Sequence, residues 1–144
     1  MVRKQLMQYK TNEVGTASQA RLVLMMYDGL IRFLNESKKR MEAKDIAGRG
    51  LYLCKAQRIV SELLDTLNIQ QGGDIALQLE KLYNFLIVNI TQANIKGDPK
   101  LVDKSLEIVG NLREAWVQVA ANAQANATAS SQRGPSVPRV AIQL

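Results

Sequence analysis

The sequence predicts an all-α protein, an antiparallel up-down-up-down four-helix bundle. Apolar residues recur at three- and four-residue spacing along four segments, short breaks separate these segments, and none of them alternates as a β-strand does. Short connections make consecutive helices antiparallel neighbours. With 144 residues, of which 47% are hydrophobic and 22% charged, the chain can bury one core without disulfides or metal.

Apolar periodicity gives approximate limits for each helix. The first is predicted over about 18–43, with Ser18 as its N-cap, and the second over about 46–67. The third covers about 74–95 and the fourth about 99–121. The predicted organisation is an N-terminal arm, the bundle and a flexible tail, at 1–17, 18–121 and 122–144 respectively. The tail is assigned because it is rich in Ala, Asn and Ser, contains prolines and has no apolar period.

Two breaks in the sequence have a specific backbone chemistry. Gly72 and Gly73 allow a positive φ before the third helix. Gly97 can end that helix in the left-handed conformation, and Asp98 and Pro99 then supply an N-cap and a first helical residue without an N–H. These residues predict a sharp start for the third helix and a sharp boundary between the third and fourth helices.

The residue types exclude most enzyme chemistry. The chain has no histidine, which removes imidazole general bases, Ser-His-Asp triads and histidine metal ligands. Its one cysteine, Cys54, cannot form an intrachain disulfide, and Glu107 and Glu114 are expected on a solvated helix face. The sequence therefore predicts no catalytic residue, no metal site and no cofactor, and a protein that is not an enzyme.

Hydropathy predicts a cytoplasmic protein without membrane insertion. No span approaches the ~20 apolar residues that cross a bilayer. Residues 1–10 contain three cations but lack the apolar stretch and the cleavage site of a signal peptide.

Positive charge is concentrated in the first part of the chain. Residues 1–58 contain 12 Lys and Arg against 5 Asp and Glu, whereas residues 59–144 contain 7 against 8. The densest group, at Lys38, Lys39, Arg40 and Lys44, suits the C-terminal end of a helix, where cations complement the dipole. An anionic partner is the alternative. A nucleic acid is not expected, because the sequence pattern shows neither interleaved aromatic residues nor a binding motif.

Some helices carry more apolar residues than a bundle core requires. In the first helix, Leu24, Tyr27 and Ile31 widen the apolar arc to roughly 200°. In the third, residues at intervals of 11 and 7 form a stripe nearly opposite the core, and the fourth helix adds two at the margin of its core face. Such stripes fit a second copy of the chain or a partner's amphipathic helix. An irregular bundle that simply buries wider arcs is the alternative.

Several motifs, in shared order and spacing, resemble those of the FliS flagellin export chaperones. Tyr9 lies in the N-terminal arm, and "MYDG" at 26–29 is similar to the family's "LYDG". "KAQRI" at 55–59, "GGDIALQLEKLYNFL" at 72–86 and "LREAW" at 112–116 continue the series. The resemblance extends over residues 9–116.

The resemblance implies a cytoplasmic type III export chaperone. Such a protein binds the disordered C-terminal segment of flagellin, prevents its premature polymerisation and delivers it to the flagellar export gate. The candidate residues for the flagellin-binding groove are Leu77, Tyr83, Val88, Ile95, Leu106 and Val117, of which Tyr83 fits the bundle core as well as the groove. The family's arm covers the apolar surface of the free chaperone, and its counterparts here are Leu6, Met7 and Tyr9. The main alternative function is a self-associating helical adaptor without an export role, and the next is a nucleic-acid-binding bundle. The sequence does not decide between a monomer and a homodimer.

Overall fold

Four α-helices make up the part of the chain that the computed structural model describes, residues 16–133. They are α1 (Thr16–Glu42), α2 (Ile46–Thr66), α3 (Ile69–Lys96) and α4 (Pro99–Arg133). Within those residues there is no β-strand, and the predicted all-α fold is confirmed.

The helices form a closed ring of antiparallel neighbours. Each packs against the next in sequence, and α4 packs against α1, which also makes an extensive contact with α2. Two ion pairs show the direction of α4: Lys38 near the end of α1 meets Asp103 near the start of α4 at 2.5 Å, while Asp28 meets Arg113 at 2.5 Å. Because these pairs are largely exposed, they report the alignment more than they stabilise it.

Capping side chains set the start of α2 and α3. The Asp45 carboxylate accepts a hydrogen bond from the Gly48 backbone N–H at 2.9 Å, and the Asn68 side chain accepts one from Gln71 N–H at 3.1 Å. A helical turn therefore precedes the double glycine, earlier than the predicted start near residue 74. Gly73 then interrupts α3 with φ +57° and ψ −134°, so the predicted break is present inside the helix.

The junction between α3 and α4 has the predicted chemistry. Gly97 lies in the left-handed region at φ +61°, ending α3. The Asp98 carboxylate accepts a hydrogen bond from Lys100 N–H at 2.9 Å, and Pro99 is the first residue of α4.

The last helix continues beyond its predicted end near Ala121. It reaches Arg133, because alanine favours the helical conformation and one alanine, Ala123, is fully buried. The side chains of Arg21 and Gln124 are also within 3.4 Å, joining this extension to α1. Residues 122–133 are thus helical, and the remaining residues of the predicted tail lie outside the described part.

A pair of tyrosines crosses the centre of the bundle. The Tyr27 and Tyr83 hydroxyls are 2.6 Å apart, which joins the diagonally opposed helices α1 and α3. The Trp116 ring of α4 meets the Tyr27 ring edge-on, with centroids 6.2 Å apart. Burial raises the pKa of Tyr27 above its usual range and that of Tyr83 to about 12. The prediction that Tyr27 extends the outer apolar surface is wrong, since it is 0% exposed.

The contacts of α1 explain its wide apolar arc. Leu24 and Ile31 of α1 are half-buried, and both pack against the core residues. Since α1 packs on α2 and on α4 as well as on the core, it buries more of its circumference than a single facing stripe. The alternative of a bundle that buries wider arcs therefore accounts for these two residues.

Glycine substitutions test the interruption of α3. Gly73→Ala should lower the free energy of unfolding by about 1–2 kcal/mol, since a Cβ there meets no atom within 4 Å and only the backbone conformation resists it. Gly110→Ala in α4 is the matched control. It also meets nothing within 4 Å but lies at a helical φ, so it should stabilise by about 0.5–1 kcal/mol. Equal effects in urea unfolding would contradict this account.

Phenylalanine substitutions test the buried hydroxyl pair. Tyr83→Phe leaves the Tyr27 hydroxyl without its partner, so it should cost about 1–3 kcal/mol of unfolding free energy. Replacing both tyrosines should cost less than the sum of the single changes, because the double variant leaves no hydroxyl unpaired. Additive losses would show that the hydroxyls do not interact.

Alkaline pH tests the same pair in the unmodified protein. The folded pKa of Tyr83, about 12, exceeds the ordinary value of 10.0, so the unfolded chain loses this proton first. The contribution of the protonated Tyr83 hydroxyl to the free energy of unfolding is complete below pH 10.0, the ordinary pKa, and is lost as pH rises through the folded pKa. Denaturant titrations should show stability falling across this window more steeply than in the variant with both tyrosines replaced; equal slopes would contradict the assignment.

Candidate functional site

The outer side of α3 carries an exposed apolar stripe, which we call the α3 face. It consists of Leu77, Val88 and Ile95, which are 41%, 60% and 70% exposed. Eighteen positions separate the first from the last, which corresponds to about 27 Å along a helix that rises 1.5 Å per residue. The stripe therefore follows most of α3 and is as long as a helix of several turns.

Two polar bridges hold the neighbouring helix α2 beside this face. The Gln57 side-chain amide donates to the backbone carbonyl of Ile87 at 3.2 Å and also contacts the Thr91 hydroxyl. Farther along, the Arg49 guanidinium donates to the Asn94 carbonyl at 2.9 Å. Because both bridges lie between the core and the exposed stripe, they fix the edge of the face without covering it.

The side of α2 next to α3 carries small residues. Gln57 marks this side, and the helical period of 100° per residue places Gly50, Cys54 and Ser61 within about 60° of it. A Cβ added to Gly50 would lie 3.9 Å from the Asn94 side chain, an ordinary van der Waals distance, so the two helices are in contact there. These small side chains project little from α2 beside the α3 face.

Charge is sparse along the α3 face. The helical period places exposed Lys81 between Leu77 and Val88, whereas Asn84 and Thr91 on the same side are uncharged. The side toward α4 adds Ile75 and Phe85, which are 49% and 45% exposed. The arrangement can take up the apolar side of an amphipathic helix, and its affinity should depend weakly on salt.

The structure divides the six predicted groove residues among three places. Leu77, Val88 and Ile95 are exposed together on α3, as predicted. Tyr83 is only 2% exposed and belongs to the core, because its hydroxyl finds a buried partner in Tyr27. It cannot line an open groove in this structure.

The two candidates on α4 lie along its contact with α1, away from the α3 face. Arg113 of α4 pairs with Asp28, and Val117 lies one turn farther along the same side at 37% exposure. Leu106 lies on this side too and is half-buried against the core. Leu106 and Val117 therefore do not join the α3 stripe.

The predicted arm residues Leu6, Met7 and Tyr9 lie outside the described residues.

Three exposed apolar residues on α1 and α2 were missed as candidates. They are Met25, Ile46 and Leu51, at 62%, 69% and 52% exposure. Met25 lies within the run of six apolar residues from 22 to 27, so an outward side chain was detectable there. Ile46 and Leu51 gave no such signal, because isolated apolar residues at a helix margin fit a core pattern equally well.

Residues 16–133 contain no cluster of metal ligands. No group of three or more Cys, Asp and Glu residues comes together there as a metal site. Nor does any helix in this range have the length and apolar character needed to span a membrane.

Comparison with known proteins gives a consistent family match. The family model described as "Flagellar protein FliS" matches residues 2–123. A flagellar secretion chaperone FliS of Vibrio cholerae is 37% identical over 108 residues, which cover 75% of this chain and 79% of that protein. Those of Bacillus subtilis and Salmonella typhimurium are each 32% identical, covering 76% of this chain and 81% and 82% of theirs.

Proposed function

The chain belongs to the FliS family, and we propose that it acts as a flagellar export chaperone that binds the C-terminal segment of flagellin. The exposed α3 face carries this proposal. Three large apolar side chains over about 27 Å form a surface of the kind that an amphipathic client helix covers.

The geometry suits a client that folds as it binds. A disordered segment pays its ordering entropy on binding, so an extended apolar contact suits it better than a compact pocket. Leu77, Val88 and Ile95 provide such a contact on a helix that two side-chain bridges hold in place. Covering the apolar side of the flagellin segment would also prevent that side from packing against other flagellin chains.

The proposal includes the arm and the export step. Leu6, Met7 and Tyr9 would cover an apolar surface of the free chaperone and yield it to flagellin, since a tyrosine ring covers apolar surface while its hydroxyl tolerates water. The loaded complex would then carry flagellin, still unpolymerised, through the cytoplasm to the flagellar export gate. The chemistry required is binding and release, which agrees with a chaperone family and needs no cofactor.

A charge on the α3 face tests the proposed groove. Val88→Asp should weaken binding of a flagellin C-terminal peptide by about 1–3 kcal/mol, because the carboxylate would lose water without gaining a partner. Val88 is 60% exposed, so helicity and unfolding free energy should change little. Titration calorimetry measures the affinity, and circular dichroism measures the helicity.

Gln118→Asp is the matched control, since it adds the same charge at an exposed position of α4. It should bind the peptide like the unmodified protein. Normal binding by the Val88 variant, or equal weakening in both, would show that flagellin does not use the α3 face.

Sedimentation separates the proposal from a self-associating adaptor. The α3 face would serve a second copy of the chain equally well on apolar character alone. We expect flagellin peptide to form a complex of defined stoichiometry, whatever the oligomeric state of the free protein. An assembly that forms through Val88 and neither binds nor responds to the peptide would favour the adaptor.

A further inference from the structure

A cluster of cations and aromatic rings lies across α1 and α2. The Phe33 and Tyr52 rings are half-buried with centroids 6.2 Å apart. Arg32 lies over Phe33 at 5.3 Å and Arg40 over Tyr52 at 5.5 Å, while the Lys55 ammonium lies within 5.5 Å of both ring centroids. This alternation of cations and aromatic rings is not visible in the sequence, since the two rings come from different helices.

Positive charge in this cluster is only partly compensated. Arg40 pairs with Glu36 at 3.1 Å and with Asp45 at 3.4 Å. Arg32 and Lys55, by contrast, have no carboxylate partner among residues 16–133. Because the ring faces hold these side chains in place, a carboxylate that approaches them meets cations that have already lost rotamer freedom.

We call the outer surface along the contact between α1 and α2 the α1–α2 groove, and it extends this cluster in both directions. Its register is set at Gly29, where an added Cβ would lie 3.3 Å from Ile59 of α2. Two apolar side chains are exposed beyond the cations, Met25 at 62% and Leu51 at 52%. Antiparallel pairing places Leu51 opposite the region about twelve residues after Met25, so these two lie about 18 Å apart along the groove.

We propose that the α1–α2 groove is a second protein-binding surface, which takes an acidic amphipathic helix of about a dozen residues. The helix would place apolar side chains near Met25 and Leu51 and carboxylates between them, against Arg32 and Lys55. This surface is separate from the α3 face, because α2 lies between them, and it does not depend on flagellin binding there.

Two features favour an acidic protein segment over a nucleic acid. Nucleobases stack on open ring faces, whereas cations already lie over Phe33 and Tyr52. The Glu36 carboxylate also lies within the cluster, bound to Arg40, and would repel a continuous phosphate backbone. A helix can place its few carboxylates beside Arg32 and Lys55 and leave an apolar or neutral side chain near Glu36.

Fluorescence anisotropy with a synthetic probe tests the proposal in the full chain. The probe is a labelled alanine-based peptide of about 18 residues, with glutamates between two leucines about twelve residues apart. Arg32→Gln combined with Lys55→Gln should raise its dissociation constant about tenfold. Lys100→Gln combined with Lys104→Gln removes the same charge from exposed positions of α4, outside both proposed surfaces, and should change it less than about twofold.

Further readings separate this surface from its alternatives. A flagellin C-terminal peptide should bind the Arg32 and Lys55 variant as tightly as it binds the unmodified protein, whether or not it uses the α3 face. An equal loss of probe affinity in both double variants would show that only the net charge of the protein matters, and would overturn the proposal. Tighter binding of a single-stranded thymidine oligonucleotide, lost in the Arg32 and Lys55 variant, would also overturn it by assigning the groove to nucleic acid.

Discussion

The hydrogen bond between Tyr27 and Tyr83 constrains the rest of the bundle, because it joins the two helices that are not neighbours in the ring. Both hydroxyls are buried, so each depends on the other for a partner. The pair fixes how α3 is rotated about its own axis. Val88 follows Tyr83 by five residues, or about 140° around the helix, so directing Tyr83 inward turns Val88 outward. The exposed stripe is thus a consequence of the core.

Local chemistry made the Gly73 break and the junction between α3 and α4 predictable, whereas the start of α3, the end of α4 and the helix that each side chain faces were not. Glycine at a positive φ and the Asp98-Pro99 cap act within a few residues, and Gly73 and Gly97 behave as their sequence predicts. Periodicity gives the angle of a side chain on its own helix but not the helix it faces. Val117 was therefore grouped with the α3 residues, although it faces the α1 side. Tyr83 was likewise named for the groove and Tyr27 for the outer apolar arc, although the two hydroxyls meet in the core.

The two proposed surfaces differ in the forces that they use. The α3 face is apolar with sparse charge, so burial of side chains would dominate its affinity. The α1–α2 groove holds cations that have no carboxylate partner among residues 16–133, so its binding should weaken as salt increases. An export chaperone has to hold its client while it meets other proteins. Surfaces on different sides of α2 would allow both contacts at once without competition.

Site-specific photocrosslinking tests the central claim, that flagellin lies along the outer side of α3, most directly. A photoreactive phenylalanine analogue at position 88 should crosslink to flagellin's C-terminal segment, and the same analogue at position 118 on the exposed side of α4 should not. Crosslinks confined to the last turns of flagellin would match a client of the length of the α3 face. Efficient crosslinking from position 118 with none from position 88 would contradict the account.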